Sequence, residues 1–187
     1  MNFVCRSTPL NGLAIIESRI FKDSRGGFLE THNQKAFAEM GIDVSFVQDN
    51  QSVSGKGVLR GLHFQMRHPQ AKLVRVVQGQ AFDVAVDLRR NSPTLGRWFG
   101  VVLDGQAQNL FYIPVGFAHG FLALTDGVIF SYKCSDYYHP EDEGGIRWDD
   151  ADLGIEWPIL GQGGQGSPLV SPKDQQLPLL KQCDFRF

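Results

Sequence analysis

A few short segments carry side chains suited to moving protons. In Arg60-Gly61-Leu62-His63-Phe64-Gln65, read as a strand, Arg60, Leu62 and Phe64 point one way and Gly61, His63 and Gln65 the other. A histidine directed into a β-barrel acts as a base, binds a metal or hydrogen-bonds within the core, and the residues alone leave these open. Lys72 opens the next strand on the face of Val74 and Val76, where a lone lysine ordinarily reaches for water. In Pro114-Val115-Gly116-Phe117-Ala118-His119-Gly120, Pro and Gly shape a tight turn that delivers His119 onto the following strand, a solvated loop histidine being the plainer reading. Tyr132 shares a face with Phe130, which by composition makes it a core aromatic with a satisfied hydroxyl. Tyr137-Tyr138 lie in a polar turn, where at least one suits a stacking platform for a planar ring. Asp149-Asp150 read as turn acids, and His32, His68 and His139 as surface residues.

The elements that must position these groups are strands. In Ala81 to Leu88, Phe82, Val84, Val86 and Leu88 share one face and Asp83 and Asp87 the other. Leu73 to Val77 is a second strand, and Gln78-Gly79-Gln80 is expected to join the two as a hairpin. Further strands are expected at Val58 to Phe64, Trp98 to Leu103, Asn109 to Ile113, Gly120 to Leu124 and Val128 to Tyr132, with turn residues between them. A strand about every ten residues suggests a sandwich or barrel. One helix is expected, capped by Asn33, with Ala36, Phe37 and Met40 on one face and Gly41 at its end. Gly161 to Gly166 reads as a short flexible loop, and the proline-bearing tail as extended with at most one short helix.

Composition bounds the partners. Eighteen Lys plus Arg against twenty Asp plus Glu give a net charge of -2, which argues against a nucleic-acid or membrane-surface binder. With 21 Gly, 9 Pro and 14 Phe in 187 residues, the chain reads as turns and strands rather than a helical bundle or a disordered segment. Cys5, Cys134 and Cys183 are odd in number and widely spaced, which fits free thiols in a reducing cytoplasm. The longest apolar stretches are too short for a membrane-spanning helix.

Taken in order, FKDSRGGFLE, FVQDNQS, VLRGLHFQ, KLVRVVQGQAFDVAVDLRRNSPTLGRW, YIPVGFAHGFLAL, YKCSDYYHPEDEGGIRWDD, IEWP and SPKDQQLPLL cover most of the chain. With these segments the sequence resembles the dTDP-4-dehydrorhamnose 3,5-epimerase family. The resemblance implies an all-β fold: a cupin jelly-roll β-sandwich or barrel with one or two short peripheral helices, spanning residues 1–187 as a single domain. Metal-binding cupins present an H-x-H pair with a following Glu and a later His, whereas here His63 is followed by Phe64 and Gln65. No metal is therefore expected, and no cofactor, since no G-x-G-x-x-G follows a strand.

The resemblance also implies roles. His63 is the base, Asp174 the acid that orients it, Tyr132 the proton donor on the far face, and Lys72 the cation on the enolate oxygen. Arg25, Glu30, Gln48, Asp49, Asn50, Arg60, Lys72, His119, Glu143 and Lys173 fall at substrate-binding positions, and Tyr138 resembles the residue that stacks on thymine. The loop from Pro158 to Ser171 is longer than the family leads one to expect, which bears on Lys173 and Asp174. The implied reaction converts dTDP-4-dehydro-6-deoxy-D-glucose to dTDP-4-dehydro-L-rhamnose. The alternatives are an epimerase acting at C3 or C5 alone in another deoxysugar pathway, a catalytically silent sugar-nucleotide-binding cupin, and, weakest, a metal-dependent dioxygenase. A homodimer is implied, with residues 3–16 as a candidate for exchange between subunits.

Overall fold

The computed structural model describes residues 2–158, 167–185 and 187. The expected loop Gly161 to Gly166 lies outside the described residues. The strands are β1 (Phe3–Ser7), β2 (Ala14–Ser18), β3 (Phe21–Asp23), β4 (Gly26–Phe28), β5 (Gln48–Ser54), β6 (Val58–Gln65) and β7 (Lys72–Gln78). They continue as β8 (Gln80–Asp87), β9 (Trp98–Asp104), β10 (Asn109–Ile113), β11 (Phe117–Ala123), β12 (Val128–Cys134), β13 (Glu143–Gly145) and β14 (Leu169–Val170). Two short helices, α1 (Gln34–Glu39) and α2 (Pro172–Gln175), stand outside the sheets.

One sheet runs in the order β1-β2-β10-β7-β12-β5 and the other β13-β6-β11-β8-β9, with β14 added in parallel to β6. The two form a cupin-type jelly-roll sandwich whose interior is filled by Val74, Val76, Ala85, Phe111, Phe121 and Phe130. Phe121 and Phe130, from opposite sheets, stack with centroids 4.0 Å apart.

The alternation along β8 is present, and its two faces bury different things. Val84, Val86 and Leu88 pack under the C-terminal segment with Trp157, Leu180 and Phe187, while Ala81 and Ala85 face the interior. Asp83 and Asp87, on the interior side, are fully buried.

The expected hairpin at Gln78-Gly79-Gln80 is not one. β7 belongs to the first sheet and β8 to the second, so the chain changes sheet at Gly79. A tight glycine turn gives the same local signal for a hairpin and for a corner. Here Gly79 has φ +81° and its carbonyl accepts from Gly105 N, while Gln80 N donates to Thr125 Oγ1. Neighbours from elsewhere in the chain thus decide the path.

Helix α1 forms as its cap residues dictate: Asn33 Oδ1 accepts from Ala36 N, and Gly41 ends the helix at φ +86°. It closes the outer face of the first sheet by burying Phe37 among Phe3, Ile16, Leu73 and Leu110, which contributes roughly 2–3 kcal/mol. His32 belongs to this packing rather than to the surface, because its ring meets Phe37 and Phe46 edge-on at 4.9 and 5.3 Å. His68 and His139 are partly buried and stack on each other at 4.0 Å. Residues 3–7 and 14–18 pair with each other, and β2 pairs with β10, which makes this segment the edge of the first sheet.

Asp87 ends β8 by accepting from Arg89 N, Arg89 Nε and Nη2, Ser92 Oγ and Thr94 Oγ1. Burial alone would push its carboxyl up, but these donors hold it down at about 2. The depressed value stabilises the fold by about 2 kcal/mol above pH ~4, and that contribution is lost as pH falls through the folded value. Asp87→Asn is expected to lower unfolding free energy at pH 7 by about 2 kcal/mol. Denaturant melts at pH 7 and near pH 2 check this, since the gap between the two proteins must narrow in acid.

Candidate active site

The catalytic candidates meet at one end of the sandwich because four strands bring them there. β6 supplies Arg60 and His63, β7 opens on Lys72, β11 carries His119 and β12 carries Tyr132. They line a cavity of about 610 Å³ together with Tyr138, Glu143, Lys173 and Asp174. An adjoining cavity of about 310 Å³ shares His63, Lys72, Tyr132, Tyr138 and Glu143 and adds Gln48 and Asn50.

Plain alternation would set Arg60 and His63 on opposite faces, yet both line the larger cavity. The register of β6 against β11 slips here: His63 faces His119, while Arg60 faces Phe121. Gly61, at φ +120°, absorbs the slip, and a Cβ there would lie 2.5 Å from the Cα of Gly120. Two glycines let the backbones touch where two functional side chains must turn the same way.

Asp174 reaches His63 from 111 positions away in sequence. β14 pairs with Val58 and Leu59, Ser171 Oγ then accepts from Asp174 N to cap α2, and Pro172 starts the helix. The Asp174 carboxylate, 4% exposed, bonds His63 Nε2 at 2.8 Å and accepts from Gly61 N at 3.1 Å. Burial would raise its pKa, but the bonds from His63 and Gly61 N keep it below the usual carboxylate value. With Nε2 held by a carboxylate, His63 keeps its other nitrogen, Nδ1, for a substrate.

Opposite, on the first sheet, Tyr132 is half-buried, and burial pushes its hydroxyl up to about 12. It is a phenol that holds its proton at neutral pH. Lys72 is half-buried at the cavity wall instead of reaching solvent; burial pushes its pKa down, against the pull of Cys134, Asp83 and Glu143. At the cavity mouth, Glu143 Oε2 accepts from Tyr138 Oη at 2.6 Å and also from Lys173 Nζ. Tyr138 N donates to Gln48 Oε1 at 2.9 Å, and Gln48 donates to Asn50, which ties the edge of β5 to the exposed Tyr138 ring. Arg60 extends an exposed guanidinium into the same region with its Nε on Ser54 Oγ at 3.3 Å.

Three expected residues stand elsewhere. Arg25 lies on the exposed β3–β4 hairpin and pairs with Asp23 at 2.6 Å. Glu30 accepts from Asn2 and Asn33, and Asp49 turns outward to pair with Lys133 at 2.9 Å. His119, 7% exposed in the middle of β11 rather than in a solvated loop, lines the cavity as expected of a substrate-binding position. The polar residue behind the cavity that was not anticipated is Asp83, fully buried on β8, which His119 Nε2 meets at 2.9 Å. The available signal was an acid at the centre of an otherwise apolar strand. Asp149 pairs with Arg147, and Asp150 anchors the tail through Leu180 N, so both acids are structural. Among the described residues, no group of three or more His, Cys, Asp or Glu is placed to hold a metal ion.

A family sequence model described as dTDP-4-dehydrorhamnose 3,5-epimerase matches residues 7–182. A dTDP-4-dehydrorhamnose 3,5-epimerase of Methanothermobacter thermautotrophicus is 58% identical over 152 residues, 81% of this chain and 82% of the relative. The crystal structure of a dTDP-6-deoxy-D-glucose-3,5-epimerase from Legionella pneumophila in complex with dTDP-4-keto-L-rhamnose is similar at TM-score 0.92 and 46% identity, covering 99% of this chain and 98% of that one. A 3'-monoepimerase from Streptomyces bikiniensis, solved with dTDP-quinovose, is similar at TM-score 0.86 and 36% identity, covering 94% and 87%.

The Gly61–Gly120 contact sets a specific expectation. Gly61→Ala places a methyl against backbone at a φ that L-residues avoid, so stability should fall by about 1–3 kcal/mol or more. A denaturant melt that superimposes on the parent's would show that the strand crossing tolerates a side chain.

Proposed function

The chain belongs to the dTDP-4-dehydrorhamnose 3,5-epimerase family, and from that premise we propose that its cavity inverts C3 and C5 by proton transfer, with His63 as base and Tyr132 as acid. The protein is an isomerase that converts dTDP-4-dehydro-6-deoxy-D-glucose to dTDP-4-dehydro-L-rhamnose in dTDP-L-rhamnose biosynthesis. The observation that carries the residue assignment is the placement of His63 on one sheet and Tyr132 on the other, both lining one cavity.

Inversion beside a ketone needs a proton removed from one face and another delivered to the opposite face. The 4-keto group acidifies C3 and C5 alike, so one pair of groups serves both carbons. His63 takes the proton, and Asp174 fixes the ring and stabilises the imidazolium that forms. Tyr132, neutral at working pH, returns a proton from the facing sheet. Lys72 stands on the developing enolate oxygen, where loss of such a donor removes about 3 kcal/mol of transition-state stabilisation. Arg60 and Lys173 supply charge for the diphosphate, His119, Gln48, Asn50 and Glu143 complete the sugar-nucleotide contacts, and Tyr138 offers its exposed ring to thymine.

The reading takes residues 1–187 as one cupin-like domain that functions as a homodimer in the cytoplasm. Support for the dimer comes from the β3–β4 hairpin, which holds Phe28 at 69% exposure and keeps Arg25 away from its own cavity. A second copy seated on this hairpin would cover the phenylalanine, and Arg25, Glu30 and Asp49 would serve across that interface. Three free thiols fit a reducing compartment, and no helix among the described residues is long and apolar enough to cross a membrane.

Turnover in deuterated water is expected to place label at both C3 and C5, as read by NMR or mass spectrometry. His63→Asn should abolish it, and Asp174→Asn should slow it on the order of a hundredfold or more. Label at one carbon would mark a single-position epimerase, and none a silent binding protein. Sedimentation at micromolar concentration should give twice the chain mass; a monomer there would refute the dimer.

A further inference from the structure

Behind the cavity wall, Asp83 on β8 is fully buried and takes no part in the roles assigned above. Both of its oxygens approach His119 Nε2, at 2.9 and 3.1 Å. The same carboxylate lies close enough to Lys72 for their charges to interact. His119 and Lys72 come from different sheets and both line the cavity. Asp83 therefore bonds one cavity side chain from behind, and its charge also acts on a second that comes from the facing sheet. A carboxylate removed from water is strongly disfavoured unless such partners compensate it.

We infer that Asp83 is a positioning residue for the epimerisation: its carboxylate fixes His119 through Nε2, leaving Nδ1 for the substrate, and keeps Lys72 a cation at the enolate oxygen. This rests on the role given to Lys72 above. The groups that face Lys72 are Asp83 from β8, His119 from β11, Tyr132 and Cys134 from β12, Glu143 from β13 and His63 from β6. Of the two acids in that set, Asp83 is fully buried, whereas Glu143 is already engaged by Tyr138 and Lys173. Burial disfavours the charged form of Lys72, and Asp83 opposes it. Deleting that negative charge leaves the ammonium to lose its proton at lower pH.

Asp83→Asn tests this, because the amide oxygen still accepts from His119 while the charge is gone. kcat is expected to fall by about tenfold or more with KM within about threefold, the pattern of a lost transition-state interaction. The alkaline limb of the kcat–pH profile should move to lower pH by about one unit, a shift that a merely structural role would not produce. An unchanged kcat with an unmoved alkaline limb, or a loss confined to KM, overturns the inference. Should the variant not fold, ¹⁵N spectra of the wild-type protein decide: His119 must carry its hydrogen on Nε2 at neutral pH, and the Nδ1–H tautomer overturns the inference. His63→Asn run alongside separates the two readings. If it retains full exchange, the base assignment fails; if it is inactive while Asp83→Asn is normal, only the role of Asp83 fails.

Discussion

The contact between Asp174 and His63 holds the site together. It joins the C-terminal segment to β6, orders the ring that faces the cavity and satisfies the backbone of Gly61 with the same carboxylate. The parallel addition of β14 to β6, the Ser171 cap and the Pro172 start of α2 all serve to deliver this one side chain. A carboxylate this deeply buried has no solvent to fall back on, so its two bonds must both be made. That requirement ties the tail of the chain to the geometry of the strand crossing.

The sandwich thereby has two distinct ends to its interior. Along most of the space between the sheets, aromatic and aliphatic groups meet, as where Phe121 lies flat on Phe130. Toward the cavity the same strands present His63, His119, Lys72 and Tyr132, and burial pushes His119, Lys72 and Tyr132 toward their neutral forms. For the phenol this keeps a proton available, whereas for the ammonium it works against the charge, so acids must stand nearby. Asp83 and Glu143 do so from two different strands.

How much of this was legible in the sequence depended on whether local pattern or distant neighbours decided the outcome. The two-residue alternation of β8 and the Asn33 cap of α1 are local, and they could be read directly. Gly79 could not, because a glycine turn looks alike whether the next strand pairs with the last or crosses to the other sheet. Arg60 and His63 share a cavity only because the register slips against β11, and the partner strand is invisible from within β6. Asp174 entered through family resemblance alone, since nothing in Ser171-Pro172-Lys173-Asp174 announces a partner so far away. Asp83 was visible as a position but not as a function. Arg25, Glu30 and Asp49 fall outside the cavity of their own chain, which no spacing argument could have revealed.

The separation of 111 positions between His63 and Asp174 has a kinetic meaning as well. Contacts between residues far apart in the chain close slowly, because the loop entropy is lost before the contact forms. The interior formed by β7, β8, β10, β11 and β12, with Leu10 and Leu13 added from the N-terminal segment, precedes the C-terminal segment in the chain and can collapse before that segment docks. A chain emerging from the ribosome would thus acquire its hydrophobic centre first and its ordered histidine last. Competence would be the final event of maturation, arriving when the tail closes over a body already built.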